Sequence, residues 1–139
     1  MHMAHSYRTS VAFKRSLEVV VAVYDVTAKF PKHELYGLTS QLRRAAIGII
    51  SQIAEGNGRA TYGEWRQFLS QARGSLFEVE AQLIAAHELG FVAEAEHAWV
   101  TKLINGAGRA ISGLMKWVRK QELANNHRVP ACPRDREPA

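Results

Sequence analysis

Apolar residues recur at three- and four-residue spacing in four long segments, and this constrains the chain more than any other feature. Short breaks containing proline or glycine part the segments. The period is that of amphipathic helices, and no segment shows the strict alternation of a half-buried strand. The first segment runs from about Val11 to Lys29. Leu17, Val20 or Val21, and Tyr24 give it one apolar face, while Val19, Val23 and Val26 add apolar surface on other sides. A helix apolar over so much of its circumference needs burial on more than one side, which points to contact with another subunit.

The break Phe30-Pro31-Lys32-His33-Glu34 holds a proline suited to the first position of a helical turn. A second helix is expected from about Leu35 to Glu55, with Leu35, Leu38, Leu42, Ala45, Ile49 and Ile53 as its seam. Thr39 is an alternative N-cap that would move the start several residues later. Ala46, Ile50 and Ala54 form a neighbouring stripe, beside which Gly48 permits close backbone approach and, like the first helix, suggests packing between subunits. Gly56-Asn57-Gly58 closes this helix with residues that accept left-handed backbone angles. Thr61-Tyr62-Gly63-Glu64 reads as a capping box and starts the third helix, about Tyr62 to Leu89. Its face is Trp65, Phe68, Leu69, Ala72, Leu76, Val79, Leu83 and Ala86, and it stops at Gly90. The fourth, about Ala93 to Lys120, presents Val100, Leu103, Ala107, Ile111, Leu114 and Val118, with Lys116, Arg119 and Lys120 complementing its C-terminal dipole.

Four long helices and short connections predict an all-α, antiparallel, up-down-up-down four-helix bundle. A chain of 139 residues fits one domain, and its 47% apolar and 22% charged residues exclude global disorder. The expected organisation is a disordered N-terminus over residues 1–10, a bundle over 11–122 and a disordered proline-containing tail over 123–139. Cys132 lies in that tail among Pro130, Pro133 and Pro138, without an intramolecular partner, which fits a reducing compartment. Met1 to Ser10 carries no apolar run of the kind a signal peptide needs, and no stretch approaches the roughly 20 uncharged residues of a membrane span. A cytoplasmic protein without a membrane role is the expectation.

Chemistry is sparse. Glu94-Ala95-Glu96-His97 contains an E-x-x-H, the spacing that di-iron bundles place on two helices, but a second copy is absent and acidic residues suit a helix start anyway. His2 and His5 give no metal pattern either. Gly56-Asn57-Gly58 lacks the further glycine and lysine of a phosphate loop, and no serine or cysteine stands in a nucleophile's setting. No enzyme, metal, cofactor or small-molecule substrate is therefore expected.

The net charge of +5, from 18 Lys and Arg against 13 Asp and Glu, makes polyanions such as RNA plausible partners. Arg43, Arg44, Arg59, Arg66 and Arg73 are the candidate contacts, the last three spaced by seven so that they could share a face. The plainer reading pairs them with Glu55, Glu64, Glu78 and Glu80, within the bundle or between subunits. Lys102, Arg109, Lys116, Arg119 and Lys120, with Trp117, make a second basic surface that a solvated face explains. Trp65, Trp99 and Trp117 are expected as core or interface anchors.

From Phe30 to Ala46, FPKHELYGLTSQLRRAA, the sequence resembles the four helix bundle protein family, whose members include proteins encoded by intervening sequences of bacterial 23S ribosomal RNA genes. The match continues through Ile53-Ala54-Glu55-Gly56, Gly58-Arg59, Phe68-Leu69, Ala72, Gly74-Ser75-Leu76, Glu78 and Leu89-Gly90-Phe91, in order over most of residues 13–118. The resemblance implies a homo-oligomer, a ring of five bundles, whose function is poorly defined across the family. A similar fold serves as the accessory protein of diversity-generating retroelements, an analogy of fold that does not carry function. Ile50 and Gln52 stand where the family often has proline and asparagine, so the second helix should be straighter here. The reading that follows is a non-enzymatic oligomeric bundle binding RNA or a ribonucleoprotein, with a structural or protein-interaction scaffold as the alternative.

Overall fold

A computed structural model describes residues 7–125, and its regular elements are helical. Four long helices, α1 (Val11–Thr27), α2 (Ser40–Asn57), α3 (Tyr62–Glu88) and α4 (Glu94–Ala124), pack in a closed circuit in which each touches the next and α4 returns to α1. The fold is all-α, with no strand among the described residues, and the neighbour pattern fits an up-down-up-down course.

Helix α1 begins where the Ser10 hydroxyl accepts the Phe13 N–H at 2.9 Å. A short 3-10 turn, Tyr7–Thr9, precedes it, and the Tyr7 ring meets Phe13 edge-on at 4.9 Å, so ordered packing starts before Val11. Residues 1–6 and 126–139, on which the rest of the terminal readings fall, lie outside the described residues.

The inward face of α1 is not the expected one. Val19, Val20, Val23 and Val26 are buried with Ala12 and Ser16, whereas Leu17, Val21 and Tyr24 are 42%, 55% and 41% exposed. Both stripes have helical spacing, so periodicity alone does not choose between them. Charge does: Lys14, Glu18 and Asp25 flank the Leu17 stripe, and burying them would leave charges out of water.

The start of α2 is the later of the two expected, at Ser40 with Thr39 in the N-cap position, although the Thr39 side chain makes no capping hydrogen bond. After Pro31, which caps the turn rather than entering it, come a 3-10 turn (Lys32–Glu34) and a wide helical turn (Leu35–Thr39) broken at Gly37, with φ −111° and ψ −114°. The Glu34 carboxylate, not Thr39, caps this segment, accepting the Leu38 N–H at 3.0 Å. Leu35 is consequently left 49% exposed, outside the seam that Leu42, Ala45, Ile49 and Ile53 bury. Past Ile50, α2 continues unbroken to Asn57.

Part of the small-residue stripe of α2 packs against α3 within the chain. Ala46 is fully buried, and a Cβ on Gly48 would stand 3.2 Å from Ser75 Oγ of α3. At Gly56 the approach is closer, 2.9 Å to Phe68 Cβ and 3.0 Å to Trp65 Cδ1. The α2–α3 turn then passes through Gly58 at φ −92°, so it makes no left-handed bend there, and Gly56 is the glycine of this turn that close packing requires. Thr61 caps α3 as expected, its hydroxyl accepting the Glu64 N–H at 3.1 Å. Left-handed geometry occurs instead at Gly90, φ +82°, where α3 ends.

The core is Leu42, Ile49 and Ile53 of α2, Leu69, Leu76, Val79 and Leu83 of α3, and Val100, Ile104, Ile111 and Val118 of α4, closed by the valines of α1. Helix α4 continues to Ala124, beyond the expected Lys120. Lys116, Arg119 and Lys120 thus precede its last turn, and dipole complementarity does not account for them.

Candidate nucleic-acid interface

The five arginines fall at three places. Arg43 and Arg44 border a hollow of about 330 Å³ between α1 and α2, with Tyr24, Thr39 and Ile47. Arg43 is committed there, since its Nε donates to Thr27 Oγ1 at 2.8 Å and its guanidinium lies over the Tyr24 ring at 4.6 Å. Thr27 Oγ1 in turn donates to the Val23 carbonyl at 2.7 Å, so the hydroxyl ties α2 to α1. Arg59 sits at the α2–α3 turn, pairing with Glu55 at 3.3 Å and covering the Phe68 ring at 4.4 Å. These contacts stabilise the helix joints.

Arg66 and Arg73 lie together, two turns apart on the flank of α3 that faces α4. Arg73 Nη1 donates to Ser112 Oγ at 3.4 Å. Arg66 donates to Glu122 Oε1 through Nε at 3.1 Å and Nη2 at 3.0 Å. Between the helices is a groove of about 810 Å³, lined by Gly63, Arg66, Gln67, Ser70, Arg73, Ser112, Met115, Lys116 and Arg119. Four of these side chains are cations and none is a carboxylate. An adjoining hollow of about 280 Å³ continues past Arg73 to Arg109, with Glu80 and Asn105.

Part of each basic surface read separately in the sequence therefore meets in one groove: Arg66 and Arg73 from the first, Lys116 and Arg119 from the second. Antiparallel packing brings positions 66 and 73 opposite 116 and 119, a juxtaposition that spacing within either helix does not reveal. Of the anticipated partners, Glu55 does pair with Arg59; among the described residues no ion pair joins Glu64, Glu78 or Glu80 to these arginines. Glu122, which the sequence reading left without a role, is the anion that holds Arg66.

Trp65 is buried, stacked beside Tyr62 at 6.2 Å and edge-on to Trp117 at 5.8 Å. Trp99 differs. It is 46% exposed and borders a groove of about 490 Å³ between α1 and α4, with Leu17, Val21 and Leu103 on its floor and Lys14, Glu18 and Asp25 on its rim. Among the described residues no helix is long and apolar enough to cross a membrane.

A closed circuit of four helices with one basic groove defines a four-helix-bundle protein. Residues 8–113 match the family model of the 23S rRNA-intervening sequence protein, and the chain belongs to that family. Comparison with curated proteins finds no match.

Proposed function

We propose that the chain is a non-enzymatic, self-assembling bundle of the cytoplasm whose α3–α4 groove takes the phosphate backbone of RNA. The observation that carries this reading is the convergence of Arg66, Arg73, Lys116 and Arg119 on one groove without a lining carboxylate. Guanidinium groups fork onto phosphate oxygens, and a cleft lined by one sign of charge concentrates counter-charged ligands. The family's description, which ties its members to 23S rRNA-intervening sequences, makes such an RNA the first probe. A salt titration of binding tests the idea: four phosphate contacts give a log–log slope near −3 on single-stranded RNA, at about −0.7 per contact. A flat salt dependence, or no binding at low salt, leaves the scaffold reading in its place.

Self-assembly is supported by Leu17, Val21 and Trp99, which together leave an apolar surface exposed along the α1–α4 groove. Phe77 and Ile84, 59% and 50% exposed on α3, form a second patch away from the first. Two unlike patches suit a head-to-tail contact that closes into a ring, the assembly of five that the family resemblance implies. The mass in solution tests it, and a monomer at micromolar concentration would rule it out.

A further inference from the structure

The far end of the α3–α4 hairpin holds a different chemistry. The turn between the helices is tightly bonded, with Gly90 N–H donating to the His87 carbonyl at 3.0 Å and Phe91 N–H to the Ala86 carbonyl at 2.9 Å. It returns the chain so that the first turn of α4 lies against the last turn of α3. His87 Nε2 thereby comes 2.9 Å from Glu94 Oε1, and the His87 and His97 rings stack at 4.4 Å with 20° between their planes. One nitrogen or oxygen from each of His87, Glu94 and His97 falls within 4.8 Å of the other two.

We propose that His87, Glu94 and His97 form a binding site for a divalent transition metal, with zinc the ion their chemistry fits best. Two imidazoles and a carboxylate are a recurrent zinc set, and nitrogen donors select against magnesium and calcium, which prefer oxygen. An independent observation supports a Lewis acid here: His97 Nε2 is shut away from solvent and has no hydrogen-bond partner. A buried nitrogen left in that state is rare, and a metal ion satisfies its lone pair. Glu88 Oε2 stands 3.7 Å from His87 Nδ1, on the side away from Glu94, where a carboxylate orients a metal-bound imidazole.

Coordination requires a defined movement. A metal lies in the plane of each imidazole that binds it, so the stacked rings must turn apart, and the second side-chain torsion of histidine is broad enough to allow this. Donors around a tetrahedral ion at about 2.0–2.2 Å sit roughly 3.4 Å apart, so the cluster must also draw together from its present span. Three protein ligands leave one position for water or another donor. The E-x-x-H of Glu94 and His97 gave two of the three ligands in the sequence; His87 was hidden because it belongs to the preceding helix.

The test is zinc titration of the full chain by calorimetry, with cobalt as an optical probe. His2, His5, His33, His127 and Cys132 are replaced throughout, so that no histidine or cysteine outside the cluster contributes. One ion per chain is expected, with intense tetrahedral cobalt bands and movement of the His87 and His97 ring resonances. His97→Phe, which keeps a ring in the stack, and His87→Gln should each weaken binding at least about tenfold, the scale on which even the outer partners of metal ligands act. Glu94→Gln alters an exposed side chain and should weaken binding without disturbing the fold, so it decides the matter if a histidine variant loses helicity. Absence of saturable binding by the parent, or undiminished binding by the folded variants, overturns the proposal.

Discussion

Helix α4 is shared by two grooves of opposite character. On its α1 side, Trp99 and Leu103 meet Leu17 and Val21 in an apolar trough with charges only at the rim. On its α3 side, Lys116 and Arg119 meet Arg66 and Arg73 in a trough lined by cations. One helix can serve both because its flanks are separated by the buried seam of Val100, Ile104, Ala107, Ile111 and Val118. A ligand or subunit on one side therefore need not compete with one on the other, and the two grooves can be disabled independently.

The largest effect is expected where that independence fails. Leu76 is 1% exposed in the core shared by the helices, and Leu76→Ala should lower stability by about 2–5 kcal/mol in denaturant titration. Both grooves should then lose function together. Next in size is the triple change Arg66→Glu, Arg73→Glu and Lys116→Glu. Each lost phosphate contact removes about 0.7 from the salt slope, so RNA affinity at low salt should fall at least about a hundredfold while the assembly mass is unchanged. The converse change, Val21→Asp, should leave the fold of the isolated chain intact, since Val21 is 55% exposed, and shift the mass in light scattering toward the monomer. If Val21→Asp abolishes RNA binding while the chain stays folded, the two grooves are coupled through assembly and their separation is wrong. The smallest expected effect belongs to Glu122→Gln, which weakens the hold of that carboxyl on Arg66. RNA affinity should rise by about twofold to fivefold, and stability should fall by less than about 1 kcal/mol, as for a partly exposed ion pair.

The contrast also marks how far the sequence could be read. The seams of α2, α3 and α4 were legible because only one side of each helix carries the long apolar repeat, and Thr61 announced its helix through its own cap. Helix α1 carries two such repeats, and choosing between them required weighing Lys14, Glu18 and Asp25 against the apolar pattern. The later start of α2 at Thr39 was legible, but the wide turn before it was not, because a glutamate side chain, Glu34, caps that turn by accepting the Leu38 N–H. At the candidate site, the cations themselves were visible, but their grouping was not. Arg66 and Lys116 are joined only by the antiparallel packing of α3 on α4, and the pairing of Arg66 with Glu122 depends on α4 running past Lys120. Arg43 shows the reverse case, a cation visible in the sequence whose hydrogen bond to Thr27 could not be read from spacing.

The edge-on contact of Trp65 with Trp117 places two indoles at the joint where α2 turns into α3 and α4 approaches its end. Each is the immediate chain neighbour of a groove cation, Arg66 in one case and Lys116 in the other. The molecule thus carries its own optical gauge. Any ligand that spreads or tightens the groove changes the angle between the two ring systems, and with it their coupled ultraviolet dichroism and emission, with no label attached.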